Sequence, residues 1–292
     1  MAAILLVLAA AGPAIAPYPK EYSEKLLVVP TPEGSETLYA PQPPSMRHLL
    51  GTDRFGYDIL SLLLYGARYT VLAALGSAAA RVLIGGSLGL ALGMRRGGRS
   101  AAGKVSGGLG GIPGFLVVYF VMLAINIDSP LSTTTLGAIQ SALIVLLGIP
   151  VVSATIAGKT AHHRQTQHVL AAVALGANRR RVALKHILPQ LREDLLLLFS
   201  GEVVLVLVLI GQLAVFDLFF GGTVLAFDPI LLTPRVPEWA SMIGASRSSI
   251  QAHQWLVLAP LGAFLFAVLA FQLVASGLEH RVRAGYARPP LV

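Results

Sequence analysis

Residues 195–218 read LLLLFSGEVVLVLVLIGQLAVFDL, an almost unbroken apolar run that holds only two ionisable side chains. As a helix this run rises about 36 Å at about 1.5 Å per residue, which exceeds the roughly 30 Å hydrocarbon core of a bilayer. We therefore predict that it crosses a membrane. Stretches of the same character predict four further spans, at residues 69–94, 105–127, 136–157 and 255–277.

The composition of the whole chain agrees with a membrane protein. Hydrophobic residues make up 55% of the 292 positions and charged residues only 12%, whereas a soluble domain has about 25% charged residues. The mean hydropathy is +0.72. So few charged groups cannot cover a soluble surface, which excludes a soluble enzyme and a disordered chain. Because the chain has no cysteine, disulfides, thiolate metal sites and thiol nucleophiles are excluded as well.

A sixth apolar segment, residues 2–16, lies at the beginning of the sequence. As a helix it rises only about 22 Å, which is less than the hydrocarbon core. A secretory signal peptide is the alternative, because Ala14-Ile-Ala16 fits a small-x-small cleavage site. No Lys or Arg precedes the apolar run, however, and Pro17 would follow the cut. We therefore expect residues 1–17 to be retained as the first transmembrane helix.

The segments between the spans differ sharply in their basic residues. Residues 95–104 hold four basic side chains and no acid, residues 159–194 hold seven basic and two acidic ones, and the tail after residue 277 holds three Arg and one Glu. Residues 128–135 and 219–254 have no basic excess. The positive-inside rule places the first three segments in the cytoplasm and the last two outside.

Alternation across the spans then predicts an all-α membrane protein with six transmembrane helices and both termini cytoplasmic. The long segment 17–68 becomes extracytoplasmic, and its five bases are matched by six acids. The formal net charge of +8 therefore reflects topology, and we expect no nucleic-acid site. The chain is therefore predicted to be a multi-pass membrane protein surrounded by the lipid bilayer.

Small residues and prolines mark helix contacts and interruptions within the spans. Gly85, Gly89 and Gly93 form a small-xxx-small ridge, which permits close packing of a neighbouring helix in lipid. Pro113, Pro150 and Pro260 lie inside or at the edge of spans. Each removes a backbone donor, so we predict kinks or broken helices there.

Two ionisable residues, Arg81 and Glu202, lie well inside predicted spans. A charge near the bilayer centre costs at least about 2.5–3.5 kcal/mol, so each needs a polar partner or an aqueous cavity. Counted from the cytoplasmic ends of their helices, their depths are about 20 and 11 Å, a difference that a long Arg side chain can bridge. We predict a structural contact between them. The alternative is that each faces a cavity or a polar partner separately.

The cytoplasmic segment 161–191 is too short to span and has a helix–glycine–helix pattern. Its first part is rich in Ala up to Leu175, and Gly176 can adopt a positive φ and end that helix. A second amphipathic helix is predicted at 178–187, before Pro189. Such a short Ala/Leu-faced unit suits docking to another protein. The alternative is a basic loop that rests on lipid headgroups.

Four stretches of the chain resemble one transporter family. The sequence LAAVALGAN at 170–178, followed by Pro189, is similar to the EAA loop of ABC-importer permeases. The sequence HLLGTDRFGYD at 48–58, followed by LYGAR at 64–68, resembles the signature of the dipeptide, oligopeptide and nickel branch, and AIAPYP at 14–19 and AFQLVASGL at 270–278 resemble its first and last helices. The resemblance covers essentially the whole chain.

The resemblance implies a type I ABC-importer transmembrane fold. It divides the chain into a first transmembrane helix (1–17), an extracytoplasmic segment (18–67), a transmembrane type-1 domain (68–282) and a cytoplasmic tail (283–292). The EAA-type loop at 161–191 would contact an ATPase through Leu170, Ala171, Ala172, Leu175, Gly176 and Ala177, flanked by Arg179, Arg180 and Arg181. Leu170 occupies the place of the family's Glu, which removes a charge from that contact.

The resemblance also implies the function, the partners and the location, which is the plasma or inner membrane of a prokaryotic cell. The chain would be one permease subunit of an ATP-driven importer, paired with a second related permease, two ABC ATPase subunits and an extracytoplasmic substrate-binding protein. Peptides, nickel chelates, opines and glutathione are the cargo classes of such importers. The sequence contains no Gly-x-x-x-x-Gly-Lys-Ser/Thr loop, so we expect no cofactor on this chain, with ATP and Mg bound by the partner ATPases and no enzymatic activity here.

The signature at 48–58 suggests an external contact and contains two acids. Gly51, Thr52 and Asp53 would contact either the binding protein or the partner permease. Asp53 and Asp58 are interpreted as cap and turn residues, because the sequence suggests no His or third group near them. Two alternatives to an importer subunit remain, a stand-alone polytopic channel and an ion-coupled secondary transporter that uses Arg81 and Glu202.

Overall fold

The computed structural model describes residues 1–31, 34–95, 97–109, 112–227 and 230–286. Helices dominate this part of the chain. They are α1 (Ala2–Ile15), α2 (Ile59–Gly93), α3 (Gly98–Leu109), α4 (Gly114–Asn126), α5 (Thr133–His163), α6 (Gln167–Ala174), α7 (Arg179–Arg181), α8 (Arg192–Val215), α9 (Trp239–Ser246) and α10 (Trp255–Tyr286). A π-helical turn, Val182–Ile187, continues α7, and a 3₁₀ turn, Arg247–Ser249, continues α9.

Two antiparallel hairpins lie outside the predicted spans. In the first, β1 (Leu26–Thr31) pairs with β2 (Gly34–Tyr39), in the register that places Leu26 opposite Tyr39. In the second, β3 (Thr223–Phe227) pairs with β4 (Ile230–Pro234), with Thr223 opposite Pro234. Both hairpins fall in segments that the charge pattern assigns to the extracytoplasmic side.

Within the described ranges, four helices are long and apolar enough to cross a membrane, namely α2, α5, α8 and α10. Their positions match four of the predicted spans. Two shorter apolar helices, α1 and α4, have 14 and 13 residues. The chain is thus a largely helical membrane protein, and the count of six spans with both termini cytoplasmic stays a prediction.

The break predicted at Pro113 is confirmed, and it divides the third predicted span, 105–127, into two helices. Helix α3 ends at Leu109 and α4 begins at Gly114, with Pro113 before it. Pro113 has no N–H to donate to a preceding turn of helix. Its carbonyl accepts the N–H of Leu116 at 3.0 Å, at the first turn of α4. Helices α5 and α10 continue through Pro150 and Pro260, so a helix break occurs only at the first of the three prolines.

Helix α2 begins ten residues before its predicted start. The carboxylate of Asp58 accepts the N–H of Ser61 at 2.7 Å and thereby caps the helix at its first turn. Arg68, which the charge pattern placed at the edge of the span, therefore lies inside the helix. The predicted domain boundary at residue 68 does not coincide with a break in secondary structure.

The described residues form two compact units. The first contains Met1–Ala73, Tyr119–Gln140 and Leu207–Ala270, and the second contains Ala74–Val118, Ser141–Val206 and the described residues from Phe271 onward. Each of the four long helices contributes one part to each unit.

In the first unit, buried polar groups and close backbone contacts connect the helices. Glu238 is completely buried and caps α9, because its carboxylate accepts the N–H groups of Ala240 and Ser241 at 3.0 and 2.8 Å. The same carboxylate accepts the hydroxyl of Thr70 at 2.9 Å. This network fixes α9 against α2.

In the second unit, the glycine ridge packs α2 against α5, as predicted. A Cβ at Gly85 would lie 2.9 Å from Val152, and one at Gly89 would lie 2.6 Å from the carbonyl oxygen of Ser153. A Cβ at Gly93 would collide with Thr160. Only glycine permits this approach, because these distances are shorter than van der Waals contact.

Candidate functional site

The segment 165–189 folds as the sequence predicted, with a helix that ends at Gly176. Gly176 has a φ of +86°. Its N–H donates to the carbonyl of Val173, and the N–H of Ala177 donates to that of Ala172, both at 3.0 Å. These two bonds form a Schellman motif, which satisfies the last carbonyls of α6 and reverses the chain.

The second helix of the segment begins at the predicted cap. The side-chain oxygen of Asn178 accepts the N–H of Arg181 at 2.8 Å. The helix continues as a π-helical turn and ends at Ile187, two residues before Pro189. The helix–glycine–helix prediction is therefore confirmed in its local structure.

One face of the 165–189 segment is fixed in an apolar cluster of the second unit. The fully or almost fully buried members are Ile156, Val169, Val182, Ile187 and Leu191, and Leu90, Met94, Ala177, Leu195 and Leu198 pack against them. These residues come from α2, α5 and α8 as well as from the segment itself. The segment is thus attached to three long helices at once.

Polar contacts reinforce this attachment. The guanidinium of Arg164 donates to the carbonyl of Met94 at 3.0 Å. Lys159 and Asp194 form an ion pair at 2.6 Å between α5 and the start of α8. His168 contacts the side-chain amide of Gln190 across the segment. A displacement of the segment would consequently displace the ends of these helices.

The opposite face of the segment is apolar and exposed. The exposed fraction is 55% for Leu170, 51% for Val173 and 89% for Leu175. Ala171 is exposed, Ala172 and Ala177 are half-buried, and a Cβ at Gly176 would meet no atom within 4 Å. Arg179, Arg180 and Arg181 are exposed beside this face. All the residues predicted for ATPase contact thus lie on one short unit, and we name its uncovered part, around Leu170, Val173 and Leu175, the apolar face.

The predicted contact between Arg81 and Glu202 is confirmed. Arg81 donates to Glu202 at 2.7 Å, and the two side chains are 6% and 5% exposed. The remaining donors of the guanidinium reach the carbonyl oxygen of Ile144 in α5 at 2.6 and 3.0 Å. Gly148 leaves the space for this side chain, because a Cβ there would collide with the guanidinium. The pair joins three helices within the second unit and is satisfied without an added ion.

Gly51 and Thr52 of the signature are buried within the chain. Thr52 exchanges two hydrogen bonds with Gln42, at 3.0 and 2.8 Å. A Cβ at Gly51 would lie 2.9 Å from the ring of Trp255 at the start of α10. Both residues therefore pack the segment before α2 against other parts of the first unit. Of the three residues predicted to contact a partner, only Asp53 is partly exposed, and that contact stays a prediction.

The expectation that no His lies near the two acids of the signature is wrong for Asp58. The Nδ1 atom of His48 lies 2.9 Å from Asp58 Oδ1, and its Nε2 atom lies 3.2 Å from Glu24 Oε2. His48 is completely buried, and Tyr18 covers its ring at 5.0 Å between centroids. We name Glu24, His48 and Asp58 the clasp.

The clasp is structural in its geometry. The hydroxyl of Ser61 donates to Asp58 at 2.8 Å and not to the imidazole, so His48 does not activate Ser61 as a nucleophile. Asp58 also caps α2, which confirms the cap interpretation for that residue. No periodic pattern in the sequence relates the three clasp residues. The one available signal was that His48 and Asp58 stand in the same eleven-residue signature.

Asp53 is a turn residue beside a cavity, in agreement with the turn interpretation. Its Oδ1 atom accepts the N–H groups of Phe55 and Tyr57 at 2.9 and 2.8 Å. Burial raises the pKa of this carboxyl from 3.8 to about 6, against the opposing effect of these bonds. The cavity has a volume of about 590 Å³, and Arg54 and Arg235 also line it.

Comparison with known proteins identifies the chain's relatives, although no family model matches it. It is 26% identical over 237 residues to the glutathione transport system permease protein GsiD of Pectobacterium atrosepticum, covering 81% of this chain and 72% of that one. It is 27% identical over 245 residues to the dipeptide transport system permease protein DppC of Alkalihalophilus pseudofirmus, covering 82% and 72%. It is 28% identical over 241 residues to a putative peptide transport system permease protein of Brucella suis, covering 82% and 74%.

These relatives confirm the resemblance that the four stretches carry. All three are transport permeases and none is named as an enzyme. Together with the four long apolar helices, they make this chain a multi-pass membrane protein and a transport subunit. The chain is thus a permease-type transport subunit, similar to the permease proteins of peptide, dipeptide and glutathione transport systems, as the resemblance to ABC-importer permeases implied.

Proposed function

We propose that the chain forms half of the translocation pathway of an ATP-driven importer for peptides or a similarly small solute. The names of its relatives support this cargo class. In this proposal the chain has six spans and both termini in the cytoplasm. A second related permease completes the pathway, two ABC ATPase subunits bind ATP and Mg, and an extracytoplasmic binding protein delivers the solute.

The 165–189 segment is the proposed contact with the ATPase. The observation that supports this ATPase contact is that the segment has one buried face and one exposed face. One face is buried in the cluster with α2, α5 and α8, and the apolar face is uncovered, with Leu175 at 89% exposure. An exposed apolar face between basic residues suits a groove on a partner protein. The order of the segment does not require that partner, because the buried cluster already holds it.

This arrangement also suggests how motion would pass into the membrane. When two ATPases close on ATP, a rigid segment held in a groove moves with its groove. Because the segment is packed on the ends of three long helices, its motion becomes a motion of those helices. Alternating access of this kind requires a stiff connection, and a buried apolar cluster provides one.

Two other functions have less support. An ion-coupled transporter would need Arg81 or Glu202 to bind an ion, but each already has a charged partner within 2.7 Å. A loop that rests on lipid headgroups would account for Arg179, Arg180 and Arg181 but would not require the defined turn at Gly176. The ATPase contact accounts for both features.

A comparison of two exposed apolar residues tests the proposal. We expect Leu175→Asp to remove the ATPase subunits from the purified assembly, and Met46→Asp, which changes a residue exposed to 96% in the segment before α2, to leave them bound. Both variants should insert and fold, since neither side chain is buried. Pull-down with the ATPase subunits, followed by ATP hydrolysis in liposomes, measures the effect. Equal retention of the ATPases by both variants would refute the docking role.

A further inference from the structure

A second cavity, of about 410 Å³, lies wholly within the second unit. Leu88, Ala91 and Leu92 of α2 form one side of it, and Ile149 and Pro150 of α5 form the other, with Arg95 beside them. Its walls are apolar apart from Arg95 and one buried serine. The volume is in the range of pockets that hold small ligands, about 300–1,000 Å³.

The glycine ridge explains why this cavity exists. Gly89 and Gly93 bring the backbones of α2 and α5 into close contact, so the larger side chains beside the ridge flank a groove. Leu88 is 48% exposed and Ala91 is exposed, which leaves the groove open at the surface of the unit. In a membrane, lipid chains or a partner subunit cover such an exposed surface, and the charge beside the groove distinguishes the two.

Along α2, the groove lies at the depth of the cytoplasmic leaflet of the membrane. Leu88 and Arg95 are seven residues apart, or about 10 Å along a helix. Arg95 follows the end of α2 at Gly93, on the side that the basic residues assign to the cytoplasm. In that orientation the apolar walls lie in the inner half of the hydrocarbon core and Arg95 lies at headgroup depth.

The charge around the groove is positive. In the part of the chain that the structure describes, the exposed guanidinium of Arg95 has neither an ion-pair nor a hydrogen-bond partner. Residues 95–104 contain four basic residues and no acid, and Lys104 is exposed. An apolar groove between helices that ends at an unpaired guanidinium, beside further basic residues, has the chemistry of a site for an anionic lipid.

We propose that this groove binds one anionic phospholipid of the cytoplasmic leaflet, with an acyl chain between α2 and α5 and the phosphate at Arg95. The proposal depends on the orientation given above but not on the cargo or the ATPase contact. Met94, next to Arg95, packs against the cluster that holds the 165–189 segment. A lipid in the groove therefore lies beside the proposed path of motion.

Native mass spectrometry of the full chain in detergent tests this site. The probes are phosphatidylglycerol and phosphatidylcholine with identical acyl chains, added at equal concentration. We expect phosphatidylglycerol to be retained at least fivefold better than phosphatidylcholine. Arg95→Ala should reduce that preference about fivefold, because one cation close to an anionic headgroup contributes about that factor. Ala91→Trp, which fills the groove, should reduce binding of both lipids.

Arg192→Ala is the matched control. Arg192 is also exposed and lies at the start of α8, on the side with the basic segments, so its loss removes the same charge without touching the groove. It should leave both lipids bound as in the unaltered chain. Equal retention of the two lipids, or an equal loss from Arg95→Ala and Arg192→Ala, would overturn the proposal. Because Arg95 is exposed, its variant keeps the test valid even if Ala91→Trp fails to fold.

Discussion

Arg81 and Glu202 form a buried ion pair with 2.7 Å between guanidinium nitrogen and carboxylate oxygen. Neither residue is near the other in sequence, and each stands in the middle of a different apolar helix. The same guanidinium donates to the carbonyl of Ile144. The pair therefore fixes α2, α5 and α8 at one level of the second unit.

Removing one member of this pair should be far more harmful than removing both. Arg81→Met leaves the Glu202 carboxylate buried without a partner, and Glu202→Leu leaves the Arg81 guanidinium with one contact fewer. Each change should destabilise the chain by about 3–5 kcal/mol, and the double variant should recover most of the loss. A double-variant cycle of thermal unfolding in detergent measures the coupling. Additive losses would contradict a direct interaction.

A second prediction uses two glycines of the same helix. Gly148→Ala places a methyl group against the guanidinium of Arg81, whereas Gly158→Ala meets no atom within 4 Å. The first change should displace Arg81 and lower the unfolding temperature and the transport rate. The second should be neutral or should stabilise α5 by up to about 1 kcal/mol, because alanine favours helix. If Gly148→Ala is as well tolerated as Gly158→Ala, the space around Arg81 is not limiting.

The length of the apolar runs and the depth of Arg81 and Glu202 along their helices were sufficient to predict the long helices and the contact between these two residues. The spans at α2, α5, α8 and α10 follow from the length of their apolar runs, and the Arg81–Glu202 contact follows from the cost of a buried charge and from helix rise. The break before α4 is different. The mean hydropathy of 105–127 does not reveal it, and only the proline at position 113 indicated it, since one proline interrupts the hydrogen-bond ladder without lowering the apolar content.

The turn at Gly176 allows a third prediction about the docking site. Its φ of +86° is tolerated by glycine and asparagine but strains a bulky residue. Gly176→Trp should therefore retain membrane insertion but abolish substrate-stimulated ATP hydrolysis in the assembled transporter, because the indole also projects into open space at the apolar face. Gly176→Asn, the control for loss of glycine, should retain most of the hydrolysis. Undiminished hydrolysis by the Trp variant would exclude docking at this turn.

The clasp gives a fourth prediction. His48→Phe preserves the ring beside Tyr18 but removes both nitrogens, which leaves Asp58 and Glu24 without the imidazole. We expect a loss of about 3–5 kcal/mol, as for other buried charges that lose a partner. Limited proteolysis of the segment before α2 should become faster. Thermal unfolding and cleavage mapping provide the two measurements.

Arg47→Ala is the control for the clasp. Arg47 pairs with Glu24 at 2.8 Å, but its side chain is 49% exposed, and exposed pairs contribute at most about 1 kcal/mol. Its loss should therefore have little effect. If the two variants lower the unfolding temperature equally, burial of His48 is not what holds the segment.

The clasp also marks the limit of prediction from sequence. His48 and Asp58 are ten residues apart, and Glu24 is 24 residues before His48, with the β1–β2 hairpin between them. Their proximity arises from tertiary folding of the segment before α2, which local pattern does not encode. The 165–189 segment contrasts with this, because its caps and its glycine turn are local and could be read directly.

The carboxyl of Asp53, whose pKa is raised by partial burial, predicts a pH dependence of stability. Its pKa is raised from 3.8 to about 6, so the folded chain holds the proton more tightly than the unfolded chain does. The stability that protonated Asp53 contributes is therefore complete below pH 3.8 and is lost as the pH rises through about 6. Asp53→Asn stays neutral and keeps an oxygen to accept the N–H groups of Phe55 and Tyr57. It should match the unaltered chain near pH 4 and exceed its stability above pH 7 by about 2–3 kcal/mol.

Thermal unfolding in detergent between pH 4 and pH 8 tests this dependence on Asp53. Glu21→Gln is the control, because Glu21 lines the same cavity but is exposed, and neutralising it changes the charge without relieving a buried group. The difference between Asp53→Asn and the unaltered chain should grow with pH and level off above about pH 7, while the Glu21→Gln curve should run parallel to that of the unaltered chain. A stability difference that does not change with pH would mean that water in the cavity solvates the carboxylate of Asp53.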